Sequence, residues 1–492
     1  GKVHVLNNFK DPSIAYFDEF LKDVAQPQDV DYNKMSGFMP PSQDKFLHNL
    51  AKYSQCRFSA STSSMTSALS AFYLLLSNFK SPYANALPSF IHNSKYSSFT
   101  RTVLDKPRFL MLRPQVDFSS PDHDLIPKEA HKANALDMVY AVDGDSLPFV
   151  PVNLILTKLG HSLERALTYN SQEFSERFVR ETAMGEWEDE DNQAFHFTKF
   201  DDFMVRSQLD CFDPTLHDGR GGIFDLKTRA TAPIRFNMKT YDKHIERQHI
   251  TNFVGAESSF EKEFHDMVRN AFIKYSLQGL LGRMDGMFMA YHNTSQMFGF
   301  EYLPLEELNT YVYGSDFMAR KSLLYTMQLM SRVCNLVVSR FPMQPVRLVI
   351  RPFQNRELKT AEVIVYAHAV GQDQGWKEVD DEEVHLQQFF EDPNPFNIPD
   401  DVIAFRVGTH ATKNGHPVHH ELTYRETDDL QVDYYIEELS NANNALSADV
   451  IRMMKSEVLM GSPGEAALSL AKKLREADIE SKRREKPSMD RM

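Results

Sequence analysis

A chain of 492 residues is long enough for roughly two to four domains and a large core. With 42% hydrophobic and 25% charged residues it has the composition of an ordinary folded protein. Its net charge of −14, from 54 basic and 68 acidic side chains, argues against a surface that coats nucleic acid non-specifically and leaves room for a local basic channel.

Cys56, Cys211 and Cys334 are odd in number and far apart. Neither a disulfide framework nor a thiolate zinc site is expected, and the compartment reads as reducing or redox-neutral. The longest apolar run, Ala68 to Leu76, falls short of the ~20 residues a membrane span needs. The chain starts at Gly1 rather than Met, as a processed or trimmed chain would, so any targeting segment would already be missing.

Gly1 to Pro41, broken by four prolines, reads as an extended arm. Ser42-Gln43-Asp44 opens a helical pattern carrying Phe46, Leu47 and Leu50. Cys56 to Phe79 is rich in serine and threonine, then apolar at helical spacing through Leu69, Phe72, Tyr73 and Leu76. Its hydroxyls suit N-capping first and phosphate contact second. Arg108 to Arg113 and Asp137 to Leu147 read as strands. From Val152 a helix carries Leu156, Leu159, Leu163 and Leu167 on one side, with His161 and Glu164 sharing a face beside them. Glu164 is either a third metal carboxylate or a solvated acid, and Glu173, Glu176 and Glu181 compete for the role. Glu186 to Asp191 is an acidic loop.

Ser207 to Ala230 holds the residues with chemistry. Val205 to Cys211 and Ile223 to Ala230 read as a hairpin around a turn-rich connection with Pro214, Gly219, Gly221 and Gly222. The first strand presents Asp210. On the second, alternation sets Ile223, Asp225, Lys227 and Arg229 on one face and Phe224 and Leu226 on the core face. Two carboxylates on neighbouring strands hold hard cations such as magnesium through oxygen, and the lysine between them orients water or neutralises developing charge. A turn acid and a surface Asp–Lys pair are the plain alternative. Arg235, Lys239, Lys243 and Arg247 follow as a basic patch, a phosphate track or scattered surface charge.

Ser258-x-x-Glu261 is a capping-box signature, and Phe260, Phe264, Met267, Ala271, Tyr275 and Gln278 then form one stripe of a long helix. Gln278 on that stripe needs a partner: a nucleotide, the lysine, or the core. Strands follow at Met287 to His292 and Gln296 to Leu303, a helix at Ser315 to Arg340, and strands at Val346 to Pro352 and Thr360 to Val370. Gln372 to Asp400 is an acidic insertion. Val402 to Val407 and His419 to Arg425 read as strands, Asn443 to Met460 as a helix, and a charged helix runs on to about Glu485. His410, His416, His419 and His420 cluster in a loop; imidazole-only zinc is the weaker reading there. No internal repeat or Gly-rich phosphate loop is present.

Asp210, Asp225 and Lys227, with Glu164 upstream and Gln278 downstream, resemble the PD-(D/E)XK nuclease superfamily, its RecB-like branch most of all. PSQDKFL (Pro41 to Leu47), STSSMTSALS (Ser61 to Ser70), FDLKTRATAPIR (Phe224 to Arg235), KYSLQGLLGRMDG (Lys274 to Gly286) and AYHNT (Ala290 to Thr294) further resemble a fungal mitochondrial family of the "petite" series that processes RNA 5′ ends. The resemblance implies a mitochondrial 5′-to-3′ exoribonuclease that uses Mg2+, or Mn2+, on single-stranded RNA with a 5′-phosphate end. It also implies links to the mitochondrial RNA polymerase and peripheral contact with the inner membrane, with no integral span.

The expected fold is α/β: a restriction-endonuclease-like core at residues 151–370, a mixed sheet flanked by helices, with an N-terminal arm and helical region (1–150) and C-terminal strands, acidic loop and tail (371–492). Asp210, Asp225, Glu164 and the Leu226 carbonyl are the expected metal ligands. Lys227 and Gln278 complete the site, and Arg229, Arg235 and Lys239 are the expected phosphate contacts. The rival readings are a non-catalytic RNA-processing scaffold that partners the polymerase, and a DNA-repair nuclease of the same fold.

Overall fold

Thr62–Leu76 carries apolar side chains around its whole circumference, and such a helix has to be buried. The computed structural model describes residues 2–6, 24–26, 29–35, 37–83, 98–115, 138–145, 154–182, 194–219, 221–236, 249–355, 360–371, 390–419 and 421–461. In it Met65, Leu69, Phe72 and Leu75 of this helix are no more than 1% exposed. Ser61 and Ser64 form a capping box at its start, so these hydroxyls act in an N-cap. Around the helix, one apolar core gathers residues from Phe58 to Tyr424.

In chain order the strands are β1 (His4–Val5), β2 (Phe58–Ser61), β3 (Arg108–Gln115), β4 (Val139–Gly144), β5 (Ala194–Phe200), β6 (Phe203–Leu209), β7 (Cys211–Asp213) and β8 (Gly222–Ala230). They continue as β9 (Gly286–His292), β10 (Met297–Pro304), β11 (Val346–Asn355), β12 (Thr360–Ala369), β13 (Ile403–Lys413), β14 (His416–Pro417) and β15 (Leu430–Leu439). A five-stranded sheet has the order β1-β10-β9-β8-β7. A ten-stranded sheet runs β14-β13-β12-β11-β3-β4-β2-β6-β5, with β15 on β13. Both are mixed: β8 is parallel to β9, and β2 is parallel to β4 and β6, among otherwise antiparallel pairs. The class is mixed α/β.

The helices that matter for the site are α1 (Leu154–Thr168), α2 (Ala232–Phe236), α3 (Phe260–Val268) and α4 (Phe272–Gly282). Leu159 and Leu163 of α1 pack with Ala290 of β9, and Gly160 places the helix beside Thr228 of β8.

Several expectations are corrected. Val205 to Cys211 is not the hairpin partner of Ile223 to Ala230. Its residues 205–209 belong to β6, which pairs with β2 and β5 in the larger sheet, and only Cys211–Asp213 pairs with β8. The helix expected from Phe260 to Gln278 is two helices, and after the break the buried face shifts to Phe272, Ile273, Leu277, Leu280 and Leu281. Gln278 therefore flanks the core side instead of lying on it. The cap of α3 is Ser259, whose side chain accepts from Lys262 N, while Glu261 accepts from Gly255 N. His419 to Arg425 is not a strand in its described residues; β15 takes that place beyond it. Lys239, Lys243, Arg247, His420, the acidic run 186–191, residues 372–389 of the insertion and the tail after 461 lie outside the described residues. Among the described residues no helix is long and apolar enough to cross a membrane.

Gly286 begins β9 between β8 and β10, where a Cβ would come 2.6 Å from the Leu303 carbonyl oxygen and the Tyr302 ring. Because one of those neighbours is backbone, Gly286→Ala is expected to cost ~1–3 kcal/mol. A fall in thermal midpoint checks this, with Gly37→Ala, where a Cβ meets nothing within 4 Å, as the control.

Candidate active site

Asp210 is the residue at which the chain leaves one sheet and enters the other, between the end of β6 and the start of β7. The register Cys211↔Phe224, continued by one residue, sets Asp210 opposite Asp225 and on its face. β7 begins only at Cys211, so from Asp225 onward no strand among the described residues pairs with that edge of β8. The Asp210 carboxylate takes up the vacated backbone position and accepts a hydrogen bond from Leu226 N at 3.1 Å.

Asp225 is 1% exposed and forms an ion pair with the Lys227 ammonium. That ammonium also donates to the Leu226 carbonyl at 3.2 Å and lies 5.8 Å from the centre of the Tyr275 ring of α4. Asp225 Oδ2 touches the ammonium, and the Asp210 side chain meets the same carboxyl. From α1, Glu164 faces both Lys227 and Asp210, with His161 Nδ1 at 3.8 Å from its carboxylate. Glu173 and Glu181 are exposed, and Glu176 accepts from Gln172.

The electrostatics follow from three acids around one base. Burial pushes the Asp225 carboxyl well up despite the ammonium, and Asp210 adds to it. Burial alone would lower Lys227, but Asp225, Asp210 and Glu164 outweigh it and hold the ammonium protonated. Burial pushes Glu164 up to about 7, Lys227 opposing. The Cys211 thiol is pushed up to about 12 by burial and by the same three carboxylates. Among the described residues no three His, Cys, Asp or Glu side chains converge to hold a metal ion as they stand. The ammonium instead rests on the Asp225 carboxylate and the Leu226 carbonyl, two of the oxygens expected to ligate one. This donor set, all hard oxygen, fits a divalent cation by its chemistry.

The other expected residues fall around this cluster. Gln278 is half-buried one turn after Tyr275 on α4, and so on the same side of that helix. Arg229 is 8% exposed, with Nε 3.1 Å from Glu263; Arg235 reaches Glu263 at 2.8 Å and Asp266 at 3.2 Å. Their guanidiniums are thus engaged by carboxylates of α3. Sequence reasoning passed over Glu263, Asp266 and Tyr275. The signal for the first two was a pair of acids three apart on a helix downstream of the basic patch. Tyr275 was seen only as part of an apolar stripe.

Residues 38–335 match the family described as "Mitochondrial protein Pet127". The chain belongs to the Pet127 family. A Schizosaccharomyces pombe member named "mRNA degradation protein pet127, mitochondrial" is 31% identical over 337 residues, 68% of this chain and 59% of that protein. A Saccharomyces cerevisiae member named "Putative mitochondrial translation system component PET127" is 33% identical over 284 residues, 56% of this chain and 30% of that one. The match therefore spans less than two thirds of either relative. The Pet127-family chain also aligns with the crystal structure of Scheffersomyces stipitis Rai1 over 76% of its length and 88% of that chain, at 12% identity. The TM-score is 0.32, which carries no argument. The family is mitochondrial, in keeping with the compartment implied by the sequence.

Glu164 offers a pH test. Its folded value, about 7, lies above the ordinary 4.5, so the folded chain holds a proton that the unfolded chain has released, and stability falls as pH rises through that window. With a chelator present, wild type should lose thermal midpoint between pH 4.5 and 7 more steeply than Glu164→Gln. Superimposable profiles would refute the shift.

Proposed function

We propose that this Pet127-family chain is a metal-dependent exoribonuclease with a PD-(D/E)XK core, degrading single-stranded RNA from the 5′ end in RNA processing and intron degradation. The observation that carries the reading is the Lys227 ammonium lying on the Asp225 carboxylate and Leu226 carbonyl, with Asp210 opposite Asp225 and Glu164 brought in from α1. The name of the fission-yeast relative, an mRNA degradation protein, supports the substrate class.

Asp210, Asp225, Glu164 and the Leu226 carbonyl would hold Mg2+ or Mn2+, which when bound polarises a phosphodiester and lowers the pKa of water. Lys227 orients the attacking water and neutralises charge gathering on the phosphate oxygens. Gln278 steadies the lysine or the substrate from α4. Arg229 and Arg235 are held by Glu263 and Asp266, and would contact the RNA backbone by exchanging those carboxylates for phosphate oxygens. Lys239 has the same role on sequence grounds. A 5′-phosphate preference, contact with the mitochondrial RNA polymerase and peripheral attachment to the inner membrane belong to the same proposal.

A second reading, a non-catalytic RNA-processing or translation scaffold, is favoured by the budding-yeast relative's name. The purified chain, given 5′-phosphorylated single-stranded RNA labelled at either end, separates the two. Wild type with magnesium should release the 5′ label first as mononucleotide, chelation should stop it, and Lys227→Met or Asp225→Asn should slow it by roughly 10²–10³-fold or more. RNA decay that persists unchanged in both variants overturns the assignment, no decay in wild type favours the scaffold, and faster decay of matched DNA points to a DNA nuclease.

A further inference from the structure

Phe212 stands out beside the site as an aromatic side chain left 64% exposed. The stabilisation that burying a phenyl ring would give is here largely forgone. The ring's position follows from the register. Phe212 pairs with Ile223 and Cys211 with Phe224, so Asp210, Phe212, Ile223 and Asp225 all share one face of the β7–β8 pair. Two residues along an extended strand separate Phe212 from Asp210, a rise of ~6–7 Å, on the scale of one nucleotide step.

The ring is also held in position. It lies against Gly221, whose φ is +83°, and a Cβ at that glycine would sit 2.5 Å from the ring's Cε2 and Cζ. Gly221 thus makes room for the ring, and its N–H donates to the Leu216 carbonyl at 3.0 Å. The turn before it is fixed by Asp213, which accepts from Thr215 N at 2.8 Å and Thr215 Oγ1 at 2.6 Å. One part of the phenyl is backed by the loop and the rest is open to solvent, at the end of an edge strand that nothing among the described residues extends.

We propose that Phe212 is a nucleobase-stacking residue, receiving the base next to the phosphate held at Asp210, Asp225 and Lys227. This rests on the nuclease reading of that site and deepens it. Every base has a π-face, so stacking on one phenyl ring tolerates any sequence while requiring a base free of its duplex neighbours. The ligand class is therefore single-stranded polynucleotide, with Phe212 contributing to the preference over duplex.

The test uses the full chain in chelator and 5′-phosphorylated single-stranded RNA in which 2-aminopurine is moved one position at a time. Wild type should quench the probe most strongly at one position near the 5′ end. Phe212→Ala should lose that quenching and bind roughly 5- to 150-fold more weakly, the equivalent of one stacked base. Phe212→Trp should keep both, and Phe212→Leu, apolar without a π-face, should resemble the alanine variant. With magnesium, Phe212→Ala should raise KM and leave kcat nearly unchanged, and an unaltered thermal midpoint rules out misfolding. If wild type degrades RNA while Phe212→Ala binds it as tightly and quenches the same position, the stacking role is overturned and the nuclease reading stands. If wild type binds with Phe212-dependent quenching but cleaves nothing, stacking is upheld and the nuclease reading fails. If wild type neither binds nor cleaves RNA, both fall.

Discussion

One ammonium against three carboxylates is the constraint around which this end of the molecule is built. Asp225 is sealed at the level of the core, and a lone carboxylate there would be strongly destabilising. Lys227, two residues along the same strand face, answers it directly, and its ammonium lies over the Tyr275 ring of α4. The answer is incomplete, because Asp210 and Glu164 face the same ammonium and all the acids compete for one charge. Such an excess is costly for folding alone. It is the condition expected of a site that works with an additional cation, since perturbed carboxylates gathered at an accessible edge are a mark of function.

The route of the chain makes that gathering possible. β6 is committed to the ten-stranded sheet, and β7 to the five-stranded one, so the single residue between them is free to turn its carboxylate onto the edge of β8. Because β7 is only three residues long, no strand among the described residues pairs with the β8 edge from Asp225 onward, where α1 can bring Glu164 alongside. A longer hairpin would have paired that edge and closed the site. Behind it, Glu263 ties Arg229 to Arg235 and, through its Oε1, accepts from Ala232 N at the start of α2, which stiffens the strand face that carries Lys227.

Much of this was legible in the sequence. Alternation along 223–229 fixes which side chains travel together, because the period of a strand is two whatever its neighbours do, and Asp225 and Lys227 do share a face. The spacing of Leu69, Phe72, Tyr73 and Leu76 marked a helix with a face to bury, and the N-capping use expected of its hydroxyls is met at Ser61 and Ser64. The strands at 287–292, 297–303, 346–352 and 360–370 were likewise carried by local pattern. The break in the helix after Val268 was not, since the apolar spacing runs through it with no proline or glycine to mark it.

What the sequence determined by itself was therefore periodic and local: which residues share a strand face, which helix must be buried, and that an acid and an amine stand side by side near a second acid. Only the tertiary structure decided that β6 pairs with β2 instead of β8, that Glu164 and not its neighbours along the chain faces the lysine, and that Arg229 and Arg235 meet Glu263. Those outcomes depend on contacts between residues far apart in sequence, whose energies no short window of residues contains.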